Sequence, residues 1–315
     1  MKILIVGAGV IGSIYGYLLS QSGNDLTHYV RSGKKQNFVN GLPIRLLDGR
    51  KKNPRDEDVV YHLNVTEEFN ENAPYDLIIV SVRHYQLKSV LPLLKENAGD
   101  TDILFFNGIW GGLEQVDAYL PRSQYLWGFP VAGGGFCDGR LDAAVLDEIR
   151  LGEMNGQITP RLERISQLFT QAGLKVDSRP NIQHWLWVHF AINCGIIGAA
   201  FKAGGAKELL NSISNLRLGI LAGREALGVC EALGVDTHSF EDARSFYMAA
   251  IPGAVAVWWM MKTNAPARKI MERHSAVDEL QIMYYDLLQS ARQLNISMRV
   301  YESFKPFVDH PKIKI

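Results

Sequence analysis

The chain opens MKILIVGAGVIGSIYG, a β-branched apolar run that ends directly in Gly7, Gly9 and Gly12. No other stretch restricts the fold as strongly. Residues 2–6 suit a strand buried on both faces. Beyond the glycines, Ile11, Ile14, Tyr15, Leu18 and Leu19 recur at helical spacing as far as Gly23, and DLTHYV (25–30) reads as the next strand. Strand, glycine turn, helix and strand in this order make one βαβ unit. A G-x-G-x-x-G pattern alone is weak, with a purely structural turn as its alternative, but in this context it reads as a nucleotide clamp. Gly7 permits the tight turn, Gly9 lets backbone N–H groups approach a pyrophosphate, and Gly12 lets helix and strand pack closely. The first helical turn, with Val10 and Ile11, presents unpaired N–H groups and a positive dipole end.

The end of the second strand selects the cofactor. A carboxylate there suits the ribose 2′-OH of NAD, and basic residues suit a 2′-phosphate. The text YVRSGKK carries no carboxylate, so NADP(H) is expected, with Arg31 as main reader and Ser32 and Lys35, beside Lys34, as weaker ones. A solvated basic turn is the alternative. Two further loops follow strand ends: VSVRHYQ places Arg83 and His84 toward the nicotinamide, and FFNGIWGG places Asn107 and Gly108 there. Arg83 would attract an anionic substrate or cofactor phosphate, and the Asn107 amide would orient nicotinamide or substrate. A surface arginine and a simple Asn-Gly turn are the competing readings.

The alternation continues through YDLIIVSV (75–82), QLKSVLPLLKENA (86–98) and DILFFN (102–107), with short strands or an excursion over 42–65 and a glycine-rich, β-like stretch over 123–153. After Pro160, helical periodicity dominates in 161–173, 181–200, 206–234, 239–250 and 266–295. The expected fold is α/β: an N-terminal Rossmann-type, doubly wound NADP-binding domain over 1–170, then an all-helical substrate or dimerisation domain over 171–315. A length of 315 residues also favours two domains.

With 33 basic and 33 acidic residues, the chain lacks the surplus that sequence-independent nucleic-acid binding needs. Cys137, Cys194 and Cys230 are widely spaced and form no CxxC pair, so neither a disulfide framework nor a metal site is expected, and a reducing, cytoplasmic compartment fits. The N-terminal apolar run lacks a signal-peptide cleavage site. The run AAIPGAVAVWWMM (249–261) is shorter than the ~20 residues of a membrane span. It reads as a turn and a buried helix, with an apolar partner surface, and so a homodimer, as the alternative.

MKILIVGAGVIG, the arginine after the second strand, VSVRHYQLKSVLPLL and FFNGIWGGLEQ together resemble the N-terminal half of the ketopantoate (2-dehydropantoate) reductase family. The likeness continues through W-x-x-x-x-x-N in WVHFAIN, REALGVCEALGV and DLLQSARQLNIS, covering most of the chain in order. It implies a Rossmann domain joined to a helical one, NADPH as cofactor, reduction of a 2-keto acid to a 2-hydroxy acid, and a place in pantothenate biosynthesis. The family's catalytic segment, roughly W-x-K-L-x-x-N-x-x-x-N, matches at Trp187 and Asn193. It puts His189 where the general-acid lysine stands and Ile197 where the second asparagine stands. The family's substrate-binding glutamate falls on Glu279 by ungapped counting and on Ala276 by the local text RHSAVD, and its upstream serine has no counterpart.

Imidazole, with an ordinary pKa of ~6.5, is a competent general acid near neutrality. The expectation is therefore an NADPH-dependent reductase of a small 2-keto acid. In it His189 supplies the proton, Asn107 and Asn193 orient the carbonyl and neighbouring hydroxyls, and Glu279 accepts a substrate hydroxyl. A core role for His189 among Trp185, Trp187 and Phe190 competes. Lys202 is a second candidate, with a surface lysine as its alternative, and Cys194 reads as buried structure. The functional alternatives are a non-catalytic NADP-binding redox sensor and another hydroxyacid or opine-type dehydrogenase.

Overall fold

A computed structural model describes residues 1–69 and 75–312, in two compact units, Met1–Gln183 and His184–Ile315. The first unit contains β1 (Lys2–Val6), α1 (Val10–Gln21), β2 (Asp25–Tyr29), β3 (Leu42–Asp48), β4 (Asp56–Tyr61), β5 (Asn64–Thr66), β6 (Leu77–Val80), α2 (Leu87–Asn97), β7 (Ile103–Phe106), α3 (Glu114–Asp117), β8 (Tyr125–Cys137), β9 (Arg140–Gly152), α4 (Pro160–Gln171) and β10 (Lys175–Ser178). One sheet holds them in the order β4-β3-β9-β8-β7-β6-β1-β2-β5, with β10 against β9.

Strands β8, β7, β6, β1, β2 and β5 pair successively in parallel. From β1 the chain moves outward to β2, forms β3 and β4 at the opposite edge, comes back beside β2 as β5, and then runs on the other side of β1 through β6, β7 and β8. The switch point therefore lies between β1 and β6, where ligands bind in such sheets. Strands LIIV and ILFF are buried throughout, which is why they read as continuous apolar runs without alternation. Beta strands 8 and 9 form a long antiparallel hairpin. Its two-residue turn, Asp138 (φ 50°) and Gly139 (φ 75°), has the handedness that matches strand twist.

The first unit extends past residue 170 because β10 returns to the sheet, pairing in parallel from Lys175↔Glu148 to Ser178↔Leu151. Its sequence, KVDS, is partly exposed and carries one apolar residue, so no strand signal marks it.

The helical unit takes up most of α5 (Ile182–Ala203), then α6 (Ala206–Leu210), α7 (Ile213–Ala232), α8 (Arg244–Tyr247), α9 (Ala250–Thr263), α10 (Ala265–Glu272), α11 (Val277–Gln293), α12 (Arg299–Glu302) and α13 (Lys305–Asp309). Two stretches expected as single helices are each divided. The span 206–234 breaks where Ser212 caps α7 by accepting from the Asn215 N–H, and 266–295 breaks between α10 and α11. Helix α7 is central, packing against α6, α8, α9, α11 and α12. It also approaches α5 so closely that a Cβ on Gly195 would collide with the Gly223 backbone.

Helix α5 is long and apolar enough to cross a membrane by length and composition, yet most of that window is buried in the fold, as in a core helix. The 249–261 run corrects its expectation in part. Pro252 sits in the first turn of α9 and leaves the helix unbroken, because N–H groups there have no intrahelical partner. One face buries Gly253, Ala254 and Val257, but Ile251, Val255 and Trp259, spaced four apart, are exposed.

Candidate nucleotide and keto-acid site

The glycine turn joins β1 to α1 at the switch point. Gly7 takes φ +111°, which L side chains rarely adopt, and its N–H donates to the Tyr29 carbonyl at 2.9 Å. Gly12 is buried against the turn: a Cβ there would lie 2.6 Å from both Gly7 O and Ser81 Oγ. Ser81, at the end of β6, donates to the Val6 carbonyl at 3.1 Å and so ties β1 to β6 beneath the turn. Ser81 was not singled out from the sequence, since nothing in VSVRHYQ distinguishes a serine facing a glycine 69 positions away.

Gly9 is the N-cap of α1, with no side-chain cap and no acidic residue in the first turn. The first N–H groups of α1, including those of Val10 and Ile11, have no intrahelical partner. A Cβ on Gly9 would meet nothing within 4 Å, so its backbone borders open space. Unpaired donors, the positive end of the helix dipole and an open backbone together fit a pyrophosphate.

A buried histidine supports the turn from below. His28 on β2 is fully buried; Nδ1 lies 3.0 Å from Gly7 O and Nε2 lies 3.0 Å from the Tyr61 hydroxyl. A carbonyl only accepts, so Nδ1 carries the proton and donates to Gly7, leaving Nε2 to accept from Tyr61. Burial pushes the imidazole pKa down to about 4. Gly16 makes room for this pair, because a Cβ there would lie 2.5 Å from Nε2 and 2.9 Å from the Tyr61 oxygen.

Asn107, at the end of β7, is held on two sides. Its Nδ2 donates to the Val82 carbonyl at 2.8 Å, and its own carbonyl accepts from the Trp127 indole N–H at 2.8 Å. The acceptor-only Val82 oxygen fixes the amide orientation. Asn107 Oδ1 is then buried with no hydrogen-bond partner among the described residues, a fixed acceptor for which a donor is required. The backbone of the neighbouring Gly108 borders open space. Arg83 is half-buried, its guanidinium donating to the Tyr85 hydroxyl at 2.6 Å, and His84 packs edge-on against Tyr85.

Arg31, Ser32, Lys34 and Lys35 are all exposed on the turn after β2. A carboxylate does reach this turn, from elsewhere in the sequence: Glu67, just beyond β5, accepts from the Lys35 N–H at 2.7 Å.

In the helical unit, α5 carries a distinctive stripe. Between Val188 and Ala200 every position is buried except His189, Asn193 and Ile197, spaced four apart on one helical face. These are the three positions that align with the family's lysine and asparagines. The His189 ring stacks on Trp185, centroids 4.8 Å apart, and Trp185 is itself anchored by its indole N–H to Asp242 at 2.8 Å. Asn193 Nδ2 donates to the His189 carbonyl at 2.9 Å, so the two residues meet through backbone. His184 stacks on Trp187, and burial lowers its pKa.

Glu279 lies in the first turn of α11, 3.8 Å from His274 Nε2, whereas Ala276 is that helix's N-cap. Lys202 lies beyond the helical stretch expected over 181–200, but the helix continues past it. The lysine sits within α5, exposed, with its ammonium over the Phe307 ring. Cys194 is buried, donates to the Met283 carbonyl at 3.3 Å, and has its thiol pKa pushed up by burial.

A glycine turn and open helix N-terminus at the switch point of a parallel sheet, joined in sequence to a helical unit, define a dinucleotide-dependent oxidoreductase. The chain belongs to the ketopantoate reductase family: residues 3–156 match the family profile described as Ketopantoate reductase PanE/ApbA. It is 30% identical over 225 residues to a 2-dehydropantoate 2-reductase of Pyrococcus horikoshii, covering 66% of this chain and 67% of that one. A 2-dehydropantoate 2-reductase of Aquifex aeolicus is 28% identical over 68% of this chain and 70% of its own. The crystal structure of 2-dehydropantoate 2-reductase from Geobacter metallireducens shares the fold, with a TM-score of 0.73 at 19% identity, covering 98% of this chain and 99% of that one. A D-mandelate dehydrogenase solved with NADH and anilino(oxo)acetate does so with a TM-score of 0.73 at 16% identity, covering 98% and 97%.

Proposed function

We propose that this chain reduces a small 2-keto acid to the 2-hydroxy acid with NADPH, with ketopantoate as the first substrate to test. The observation that carries the reading is an uncapped, glycine-lined helix N-terminus after β1 together with the locked, unpartnered Oδ1 of Asn107 after β7, the two strands flanking β6 in one sheet. The N–H groups of the turn from Gly7 to Gly12 would hold the pyrophosphate, and Arg31, with Ser32 and Lys35, the 2′-phosphate. Arg83 would add positive charge, and Asn107 Oδ1 would accept from an amide or hydroxyl. Bound reduced nicotinamide supplies a hydride to the ketone carbon.

His189 is the proposed proton donor to the ketone oxygen. The His189 imidazole, stacked on the Trp185 indole, is held in one orientation, and imidazole is a side chain able to act as a general acid. Asn193 would orient the carbonyl or a hydroxyl of the substrate, and Glu279 would accept from a substrate hydroxyl. With Ile197 replacing a second amide, this α5 face offers fewer hydrogen bonds to substrate than the family pattern. Different keto acids therefore belong in the first assay.

A homodimer is part of the reading. Ile251, Val255 and Trp259 form an exposed apolar stripe on α9, and the dimeric ketopantoate reductase of Staphylococcus aureus shares the fold with a TM-score of 0.64.

The test is NADPH consumption with ketopantoate and a panel of other 2-keto acids, with the product identified as the 2-hydroxy acid. Tight NADPH binding with no consumption across the panel would overturn the reading in favour of a non-catalytic NADP-binding protein.

A further inference from the structure

The sequence of the turn after β2 contains only cations, but the folded turn also holds a carboxylate. Strand β5 pairs with β2 in parallel register, Tyr29 opposite Thr66, and the Val30 N–H donates to the Thr66 carbonyl at 2.9 Å. That register brings the next residue, Glu67, alongside the turn. Its Oε1 accepts from the Lys35 N–H at 2.7 Å, and the N–H groups of Gly33 and Lys34 face the same carboxylate. These backbone donors hold the carboxyl pKa below its ordinary value, so the group is an anion at neutral pH. Arg31, Lys34 and Lys35 surround it with exposed cationic side chains.

In a sheet of this kind the end of β2 is where the adenosine ribose is read at its 2′ position. A carboxylate there accepts from a 2′-OH. Cations and N–H groups there bind a 2′-phosphate. This chain places both at one turn, on two different strands. The 2′-phosphate needs the same donors that Glu67 now engages, and the two anions repel each other at contact.

We propose that Glu67 sets the nucleotide preference: its carboxylate competes with the 2′-phosphate of NADPH for the donors of residues 33–35, and accepts from the 2′-OH when NADH is bound. Glu67 thus weakens discrimination that Arg31 and its neighbours would otherwise impose. The inference rests on the nucleotide-binding reading above.

The experiment measures dissociation constants for NADPH and for NADH, by nucleotide fluorescence, with the full chain as wild type and as Glu67→Gln. Because the readout is the ratio of two constants within one protein, a general loss of stability cancels. The expected result is a shift of that ratio by about tenfold toward NADPH in the variant, the size of a contact between surface charges. The shift shrinks at high salt. An unchanged ratio, or a shift toward NADH, with both nucleotides still bound by wild type, overturns the role of Glu67 alone. Binding of neither nucleotide by wild type overturns the nucleotide-binding reading and this inference with it.

Discussion

Replacing His28 with asparagine separates one titration from all others in the molecule. The imidazole is fully buried, donates to Gly7 O and accepts from the Tyr61 hydroxyl, and its pKa lies at about 4 against an ordinary 6.5. A histidine with a depressed pKa stabilises the fold fully above the unfolded value, and that contribution is lost as pH falls toward the folded one. Between those limits the unfolded chain holds a proton that the native chain does not, so stability falls by roughly 1.4 kcal/mol per pH unit. From pH 7 to pH 5 the contribution is about 2 kcal/mol, and toward pH 4 about 3 kcal/mol. In His28→Asn the amide N–H replaces Nδ1–H toward Gly7 and titrates nowhere in this range. The variant loses the Tyr61 bond and some packing, about 1–3 kcal/mol at pH 7. Denaturant unfolding of both proteins at pH 7 and pH 5 gives the comparison, with carboxylate titrations common to both. The gap between them should narrow by about 2 kcal/mol at pH 5. A gap unchanged between the two pH values would refute the buried neutral imidazole.

Gly12→Ala should weaken NADPH binding by tenfold or more in a fluorescence titration, because its Cβ has 2.6 Å to Gly7 O and Ser81 Oγ where it needs ordinary contact; overpacking of this kind costs about 1–3 kcal/mol, read from the thermal midpoint. Native affinity in a folded Gly12→Ala protein would show that the turn does not hold the nucleotide. Trp259→Glu should convert a dimer to monomer in sedimentation velocity, since it places a charge in the α9 stripe where Trp259 is 61% exposed. A wild type that sediments as a monomer, or a variant that stays dimeric, removes α9 from the interface.

Much of the sheet could be read in advance because its central strands are buried on both faces, which leaves LIIV and ILFF as unbroken apolar runs. The glycine turn was equally readable, since three glycines between a strand and an amphipathic helix admit few structures. Strand β10 was not, because KVDS has one apolar residue and its pairing with β9 on a partly exposed edge depends on a register that local sequence does not carry. Glu67 was missed for a related reason: its bond to Lys35 spans 32 positions and depends on the register of β5 against β2. The family motif marked His189, Asn193 and Ile197, and packing added that these three alone are not fully buried between Val188 and Ala200. The sequence could not distinguish a buried from a half-exposed α9, since its apolar residues run all round the helix and the fold covers one face of them.

In the proposed reaction His189 delivers a proton to a 2-keto acid while NADPH reduces it. The most direct measurement is steady-state NADPH oxidation with the preferred keto acid for wild type and His189→Ala, alongside NADPH affinity for both. In His189→Ala, kcat should fall by roughly 10²–10⁴-fold while NADPH binding is unchanged. Equal turnover by the two proteins would contradict proton delivery by His189 and return it to the role of a stacked core residue.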